Sequence, residues 1–325
     1  MQAFTLLRPN ALDDAIAAAQ AQGTKYIAGG SDLMQLMKDN VEVPTQLVDL
    51  EPIGLTHIRA DASALHLGAM ARMSDVAAHP AVRERWPAIS EALLASASPQ
   101  VRNMGTIGGN LLQRTRCSYF RDTGFACNKR QTGSGCPAIK GESRMLAILG
   151  VSDQCIASHP SDLPVALMAL DATLSLHGAN GVRRQVPIAD FYRLPGDTPN
   201  VETVLQPGEL IEAVTVADTP AARNSHYLKV RDRTSFEFAL VSAAVALATG
   251  GGTVQDVRVA AGGVGARPWR LHEVETALHN VALSDGTLRE ASTRAGVDAR
   301  LTPRNTFKLT LLRRTVLRAL QTVSA

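Results

Sequence analysis

Long apolar runs are missing from this chain of 325 residues. The longest mostly apolar stretch, residues 238–248, falls well short of the ~18 residues that span a membrane, so no membrane insertion is expected. Nor does the amino terminus show a basic segment followed by an apolar run. No Sec or twin-arginine signal is visible, and an exported chain would have to travel with a signal-bearing partner. No sign of charge dominates: 33 Lys and Arg stand against 30 Asp and Glu, for a net +3. That balance argues against a nucleic-acid-binding tail. Gly and Pro, at 25 and 16 residues, are at ordinary abundance, which excludes collagen-like or low-complexity chains. Internal repeats, the G-x-G-x-x-G fingerprint of a dinucleotide fold and any convincing Ser/His/Asp or Cys/His catalytic set are also missing. A hydrophobic content of 45% over this length describes a folded chain of about two domains that needs no disulfides.

Cysteine is scarce as well, with four residues, but its placement is uneven. Cys117, Cys127, Cys136 and Cys155 all fall within 39 residues. Four readings compete. Structural disulfides need an oxidising compartment and small domains that depend on them. Structural zinc sites usually show C-x2-4-C pairs, which are absent here. An iron–sulfur cluster needs four thiolates converging from loops of any spacing. Dispersed inert thiols are the fourth. The surrounding segment, 114–144, holds seven basic and two acidic residues, a local +5 against −2 for everything else. Such cations suit an anionic cluster, although a solvated basic loop would look the same. Tyr119, Phe120 and Phe125 are too few to suggest a nucleic-acid patch. Gly124, Gly133, Gly135 and Pro137 mark the segment as loop.

Along the chain, Asn10 with an acidic residue at position 13 reads as an N-cap for a helix over 12–21. A strand over 25–28 leads through a glycine pair into a short helix, 33–38, and 45–50 reads as a strand. A strand over 64–69, helices over 74–78 and 86–98, a glycine-rich turn over 101–110, a helix over 163–170 and a strand over 172–177 follow. Residues 217–225 read as a linker, and 226–230, 238–248, 254–260 and a closing helix 306–322 form a third unit. Two glycine loops stand out. Residues 27–33 connect strand to helix, where backbone amides suit a phosphate and glycine permits close approach. Residues 106–110 offer a second set, so that a pyrophosphate could be held from both sides. Each loop alone reads first as a structural turn, and residues 260–265 read as one. Asp162 is either a helix N-cap or an acceptor for a ribose or flavin group. Lys229 is either a surface lysine or a cation near a flavin.

Taken together, Ala28-Gly-Gly-Ser-Asp-Leu33, Val101-Arg-Asn103 with Thr106-Ile-Gly-Gly-Asn110, Ser161-Asp162 and Leu205-Gln-Pro-Gly-Glu-Leu-Ile211 resemble, in order, the flavin subunits of the molybdenum hydroxylases. These are the xanthine dehydrogenase and carbon monoxide dehydrogenase relatives, and the resemblance covers essentially the whole chain. It implies an α+β protein: a vanillyl-alcohol-oxidase-type (PCMH-type) FAD domain of two α/β subdomains, 1–55 and 56–218, followed by 226–325, which is similar to the carbon monoxide dehydrogenase flavoprotein C-terminal domain. Within the family, the cysteine segment 111–156 looks like that of the periplasmic aldehyde oxidoreductases, whose flavin subunit binds FAD and a [4Fe-4S] cluster. 4-Hydroxybenzoyl-CoA reductase is the second resemblance. By position, the resemblance implies that Tyr26, Ile27, Ala28, Gly29, Gly30, Ser31, Asp32, Leu33 and Met34 hold the FAD phosphates together with Thr106, Gly108, Gly109 and Asn110. It implies that Asp162 and Lys229 hold other parts of FAD and that Cys117, Cys127, Cys136 and Cys155 ligate the cluster. The implied partners are a small [2Fe-2S] subunit, a large subunit carrying molybdopterin cytosine dinucleotide, and an external electron acceptor. Substrate chemistry would then lie on the molybdenum subunit, in the periplasm or alternatively the cytoplasm. Residues 236–239 depart from the acidic pattern of many relatives. A self-sufficient flavoenzyme and a zinc-bearing binding module remain as alternatives.

Overall fold

The computed structural model describes residues 1–325 as an α+β protein built on three separate sheets. The first is small and parallel. Gln46–Asp49 lies between Thr5–Leu7 and Thr24–Ile27. Helix Leu33–Lys38 supplies the crossover that parallel strands require. The strand Thr5–Leu7 has no signal in the sequence, being three residues long with mostly exposed side chains. The expected N-cap at Asn10 is replaced by Ala11, without a side-chain cap, and the helix is limited to Leu12–Ala18.

The second sheet has five antiparallel strands in the order Ile58–Ala60, Ala64–Gly68, Leu210–Ala217, Thr173–His177, Arg183–Pro187. Alternation sends Leu65, Leu67, Leu174, Leu176, Val214 and Val216 into one core, where they meet the helices Met73–Ala78 and Pro87–Ala95. Residues 101–110 are helical where a turn was expected. Pro99–Met104 is capped by the Ser98 hydroxyl, and Ile107–Leu111 by the Thr106 hydroxyl. Two glycines survive inside the second because it makes little more than one turn.

The third sheet is antiparallel, ordered Trp269–Arg270, Thr253–Gly262, Val241–Gly250, Ser225–Val230. Its central hairpin turns at Gly251-Gly252, both with positive φ, as a tight two-residue turn requires. Strand Val241–Gly250 is buried on both faces. Val241, Ala243, Val245 and Leu247 face the closing helix Phe307–Ser324, while Ala244 and Ala246 join the core of the second sheet. The small alanines on that side leave room for helix Leu163–Ala169, every residue of which is buried. The segment 217–225, expected as a linker, connects the second sheet to the third as a packed segment and not a loose one. Ala221 and Ala222 lie in the shared core within a short helix, Pro220–Arg223. No helix is long and apolar enough to cross a membrane.

Candidate functional site

A cleft of about 740 Å³ opens where the three units meet. One wall is the loop after strand Thr24–Ile27. The backbone N–H groups of Gly29, Gly30, Ser31 and Asp32 find no acceptor within the chain, and consecutive unpaired donors beside a cavity are a ready anion cradle. Gly30 supports the bend with φ +68°. Gly29 has a different reason: a Cβ there would sit 1.9 Å from the Met104 carbonyl oxygen, so only glycine lets the two backbones pass. Tyr26 fixes the loop from below by donating to the Gly208 carbonyl at 2.7 Å.

The second glycine loop lines the cleft differently from the expectation. Its amides are consumed internally: Ile107 and Gly108 donate to the Ala71 and Ala69 carbonyls, Asn110 to Thr106, and Gly109 to the Thr106 hydroxyl. It therefore offers surface and not a second set of free donors, because the Ala69 and Ala71 carbonyls and its own Thr106 claim them. Thr106, Gly108, Gly109 and Asn110 all reach the cleft wall, as do residues 26–33, whereas Met34 does not. Met34 is turned back against Gly30, behind the loop it was expected to join.

Asp162 and Lys229 meet across the units. Lys229 Nζ donates to Asp162 Oδ2 at 2.8 Å and to the Ala95 carbonyl at 3.1 Å. The same carboxylate accepts from Ser96 Oγ at 2.9 Å and from Tyr227 at 2.5 Å. Asp162 occupies the N-cap position of helix Leu163–Ala169 yet makes no cap bond, since its oxygens point to these partners. Sequence reasoning left out several cleft residues, among them Arg116, Met73, Phe236 and Phe238. The two phenylalanines carried a usable signal as aromatics in an otherwise polar loop. Both remain exposed at the cleft, and Phe236 takes a left-handed φ of +50°.

The four cysteines gather as well. Cys117, Cys127, Cys136 and Cys155 line one small enclosed cavity of about 10 Å³, with Tyr119, Phe120 and Ala138 around them. Burial first, and then the neighbouring cysteines, pushes the Cys117 thiol up to about 11; burial also raises Cys136 and Cys155. No three of the chain's His, Cys, Asp and Glu side chains lie close enough to share a single ion.

Most of the basic residues around these thiols are already paired. Arg116 and Arg121 bind Asp32 of the amide loop at 2.5 and 2.7 Å. Arg114 lies between Glu42 and Glu202, Lys129 binds Glu202 at 2.6 Å, and Arg144 binds Asp232 at 2.9 Å. Arg130 donates to the carbonyls of Tyr119, Phe120 and Phe125. The local +5 is thus balanced mostly by carboxylates distant in sequence, which corrects the reading of that charge as a cationic surround for a cluster. Lys129 is the cation that acts on a thiol, holding Cys155 lower than burial alone would.

A second cavity, about 240 Å³, lies between cleft and thiols and is lined by Arg114, Lys129, Cys155, His159 and Glu202. His159 packs edge-on to Tyr192 at 4.7 Å and accepts the Ser161 amide on Nδ1. Burial lowers its pKa from 6.5 to about 4. The proton therefore prefers the unfolded chain. The stabilisation is complete above pH ~6.5 and is lost as pH falls toward 4, at up to about 1.4 kcal/mol per pH unit. Urea midpoints at pH 7 and 5 should differ less in His159→Leu than in the natural chain; an equal decline would remove the assignment.

Comparisons with known proteins place the chain in a family. The model of the FAD binding domain in molybdopterin dehydrogenase matches residues 2–218, and that of the CO dehydrogenase flavoprotein C-terminal domain matches 226–323. The chain is 47% identical to the aldehyde oxidoreductase FAD-binding subunit PaoB of Escherichia coli (strain K12), over 97% of this chain and 96% of that one. It is 28% identical to the carbon monoxide dehydrogenase medium chain of Afipia carboxidovorans over 97% and 96%. Among solved structures, carbon monoxide dehydrogenase from Hydrogenophaga pseudoflava superposes with a TM-score of 0.77 at 26% identity, covering 99% of this chain and 97% of that one.

Proposed function

The chain belongs to the flavin-binding subunits of the molybdopterin dehydrogenases, and from that membership we propose that it is the FAD-binding, electron-transferring subunit of an aldehyde oxidoreductase. The observation that carries the reading is the run of unpaired amides, Gly29 to Asp32, on the wall of a cleft large enough for a dinucleotide. FAD bound there would supply a carrier that takes electrons singly and releases them singly or in pairs. The amides would hold its pyrophosphate, Gly29 would keep their loop seated against the Met104 carbonyl, and Lys229, held by Asp162, would set the charge on the wall. Asp162, Lys229 and Ser96 on the cleft wall are bonded to one another, and the relatives are subunits of larger enzymes. This supports placing aldehyde oxidation on a large molybdenum-cofactor subunit, with a small [2Fe-2S] subunit between the two.

The finer reading is that Cys117, Cys127, Cys136 and Cys155 ligate a [4Fe-4S] cluster. Four soft sulfur donors lining one cavity, with no carboxylate or imidazole among the lining residues, suit iron–sulfur or zinc. The resemblance of the cysteine segment to flavin subunits that carry such a cluster is what favours iron–sulfur over zinc. The resemblance of the cysteine segment further suggests a periplasmic assembly. Purified complex should show a flavin band in the blue over a broad iron–sulfur shoulder, with four irons on this chain. Cys127→Ser should remove the iron and leave the flavin. Stoichiometric zinc, or full iron in the variant, would overturn the cluster assignment; a colourless protein would overturn the flavin as well.

A further inference from the structure

We propose that Tyr227, assisted by Ser96, is a positioning residue that sets how much of the Lys229 charge reaches the cofactor cleft, and thereby tunes the reduction equilibrium of the flavin held there. The inference rests on the flavin reading above. Tyr227 and Lys229 are two apart on strand Ser225–Val230, so both side chains leave the same face of the sheet. They converge on one carboxylate from different sides: Tyr227 donates to Asp162 Oδ1 at 2.5 Å and Lys229 to Oδ2 at 2.8 Å. Asp162, Lys229 and Tyr227 are all buried, with the Asp162 and Lys229 side chains 6% and 3% exposed. Solvent therefore does little to screen the pair, and Asp162 and Lys229 both reach the cleft wall.

The two hydroxyls divide the work unequally. The single Ser96 hydrogen is shared between Asp162 Oδ2 and the Ala92 carbonyl, at 2.9 and 2.8 Å. The Tyr227 hydroxyl donates to Asp162 alone. Burial, and then the Asp162 carboxylate beside it, raises the Tyr227 pKa well above its ordinary value, so it remains a donor throughout the working range. A neutral donor on Oδ1 draws carboxylate charge away from Lys229. The ammonium then faces the cleft less fully neutralised, and a positive wall favours the more negatively charged, reduced cofactor. Without the hydroxyl, Asp162 holds Lys229 more closely and the wall loses positive potential.

The test is a spectroelectrochemical titration of the purified complex carrying Tyr227→Phe. The expected result is full flavin content with the reduction equilibrium shifted about tenfold toward the oxidised form, about 30 mV for a two-electron couple. Ser96→Ala should move it in the same direction by less. A packing role alone would change flavin content or melting and leave the potential in place. Flavin-loaded Tyr227→Phe with an unmoved potential overturns the inference. If that variant does not fold, an unmoved potential in Ser96→Ala overturns it equally. A natural complex without flavin overturns the flavin reading itself, and this inference with it.

Discussion

Gly29→Ala should abolish FAD retention, with affinity reduced by at least a hundredfold, about 2.7 kcal/mol. The added carbon would lie 1.9 Å from the Met104 carbonyl oxygen and 2.7 Å from its carbon. Both are main-chain atoms at the end of helix Pro99–Met104, so no rotamer change can relieve the overlap. The loop must instead lift away from that helix. Any displacement large enough to clear the contact moves the Gly29–Asp32 amides, whose value as a cradle depends on pointing at one place. Flavin absorbance per chain after gel filtration measures the loss, and circular dichroism of the same sample separates it from unfolding. A variant that keeps stoichiometric flavin would show that the amide run does not hold the cofactor. Gly105→Ala makes a useful contrast. Its nearest obstacle is the flexible Met73 side chain, so the cost should be milder.

The parts of this protein that could be read from its sequence are those whose chemistry is local. The glycine loop at 27–33 carries its strand-to-helix context within ten residues, and the four cysteines announce themselves by clustering. Buried strands such as 241–247 and the closing helix are equally visible, since apolar periodicity needs no distant partner. What stayed hidden depends on pairings across long separations. Asp32 reads as one more loop residue until Arg116 and Arg121, 84 and 89 positions away, are placed on its carboxylate. Tyr227 reads as an ordinary strand tyrosine until Asp162 is found 65 residues back. The same blindness produced the misreading of the basic segment, because a count of charges cannot say that Glu42, Glu202 and Asp232 will be folded against it. The packing of the connecting segment 217–225 was hidden for a related reason. Its proline, alanines and polar residues look loose, and only the neighbouring core makes Ala221 and Ala222 part of a buried turn.

Asp32→Asn should release flavin and cluster together, which is the strongest consequence of how the two candidate sites are joined. Asp32 carries one of the unpaired amides, yet its carboxylate faces the other way and accepts from the Arg114 amide at 2.7 Å and from Arg116 and Arg121. Burial alone would raise this carboxyl, but the two guanidiniums and the amide outweigh it and hold it below the usual carboxylate range. Arg116 and Arg121 bracket Cys117 in sequence, and Arg121 also closes back on the carbonyls of Arg114 and Thr115. One side chain therefore fixes the approach of the first thiol while its own backbone serves the cofactor cleft. Asparagine keeps the size and loses the charge, leaving two partly buried cations without their anion. Breaking a fully buried pair from one side costs about 3–5 kcal/mol, and partial exposure lowers the cost here. The measurement is iron and flavin per chain in the same preparation, with thermal melting alongside. Joint loss, with a lowered melting point, is the expected result. Loss of flavin with iron fully retained would show that Asp32 serves only the cleft and does not bridge the sites.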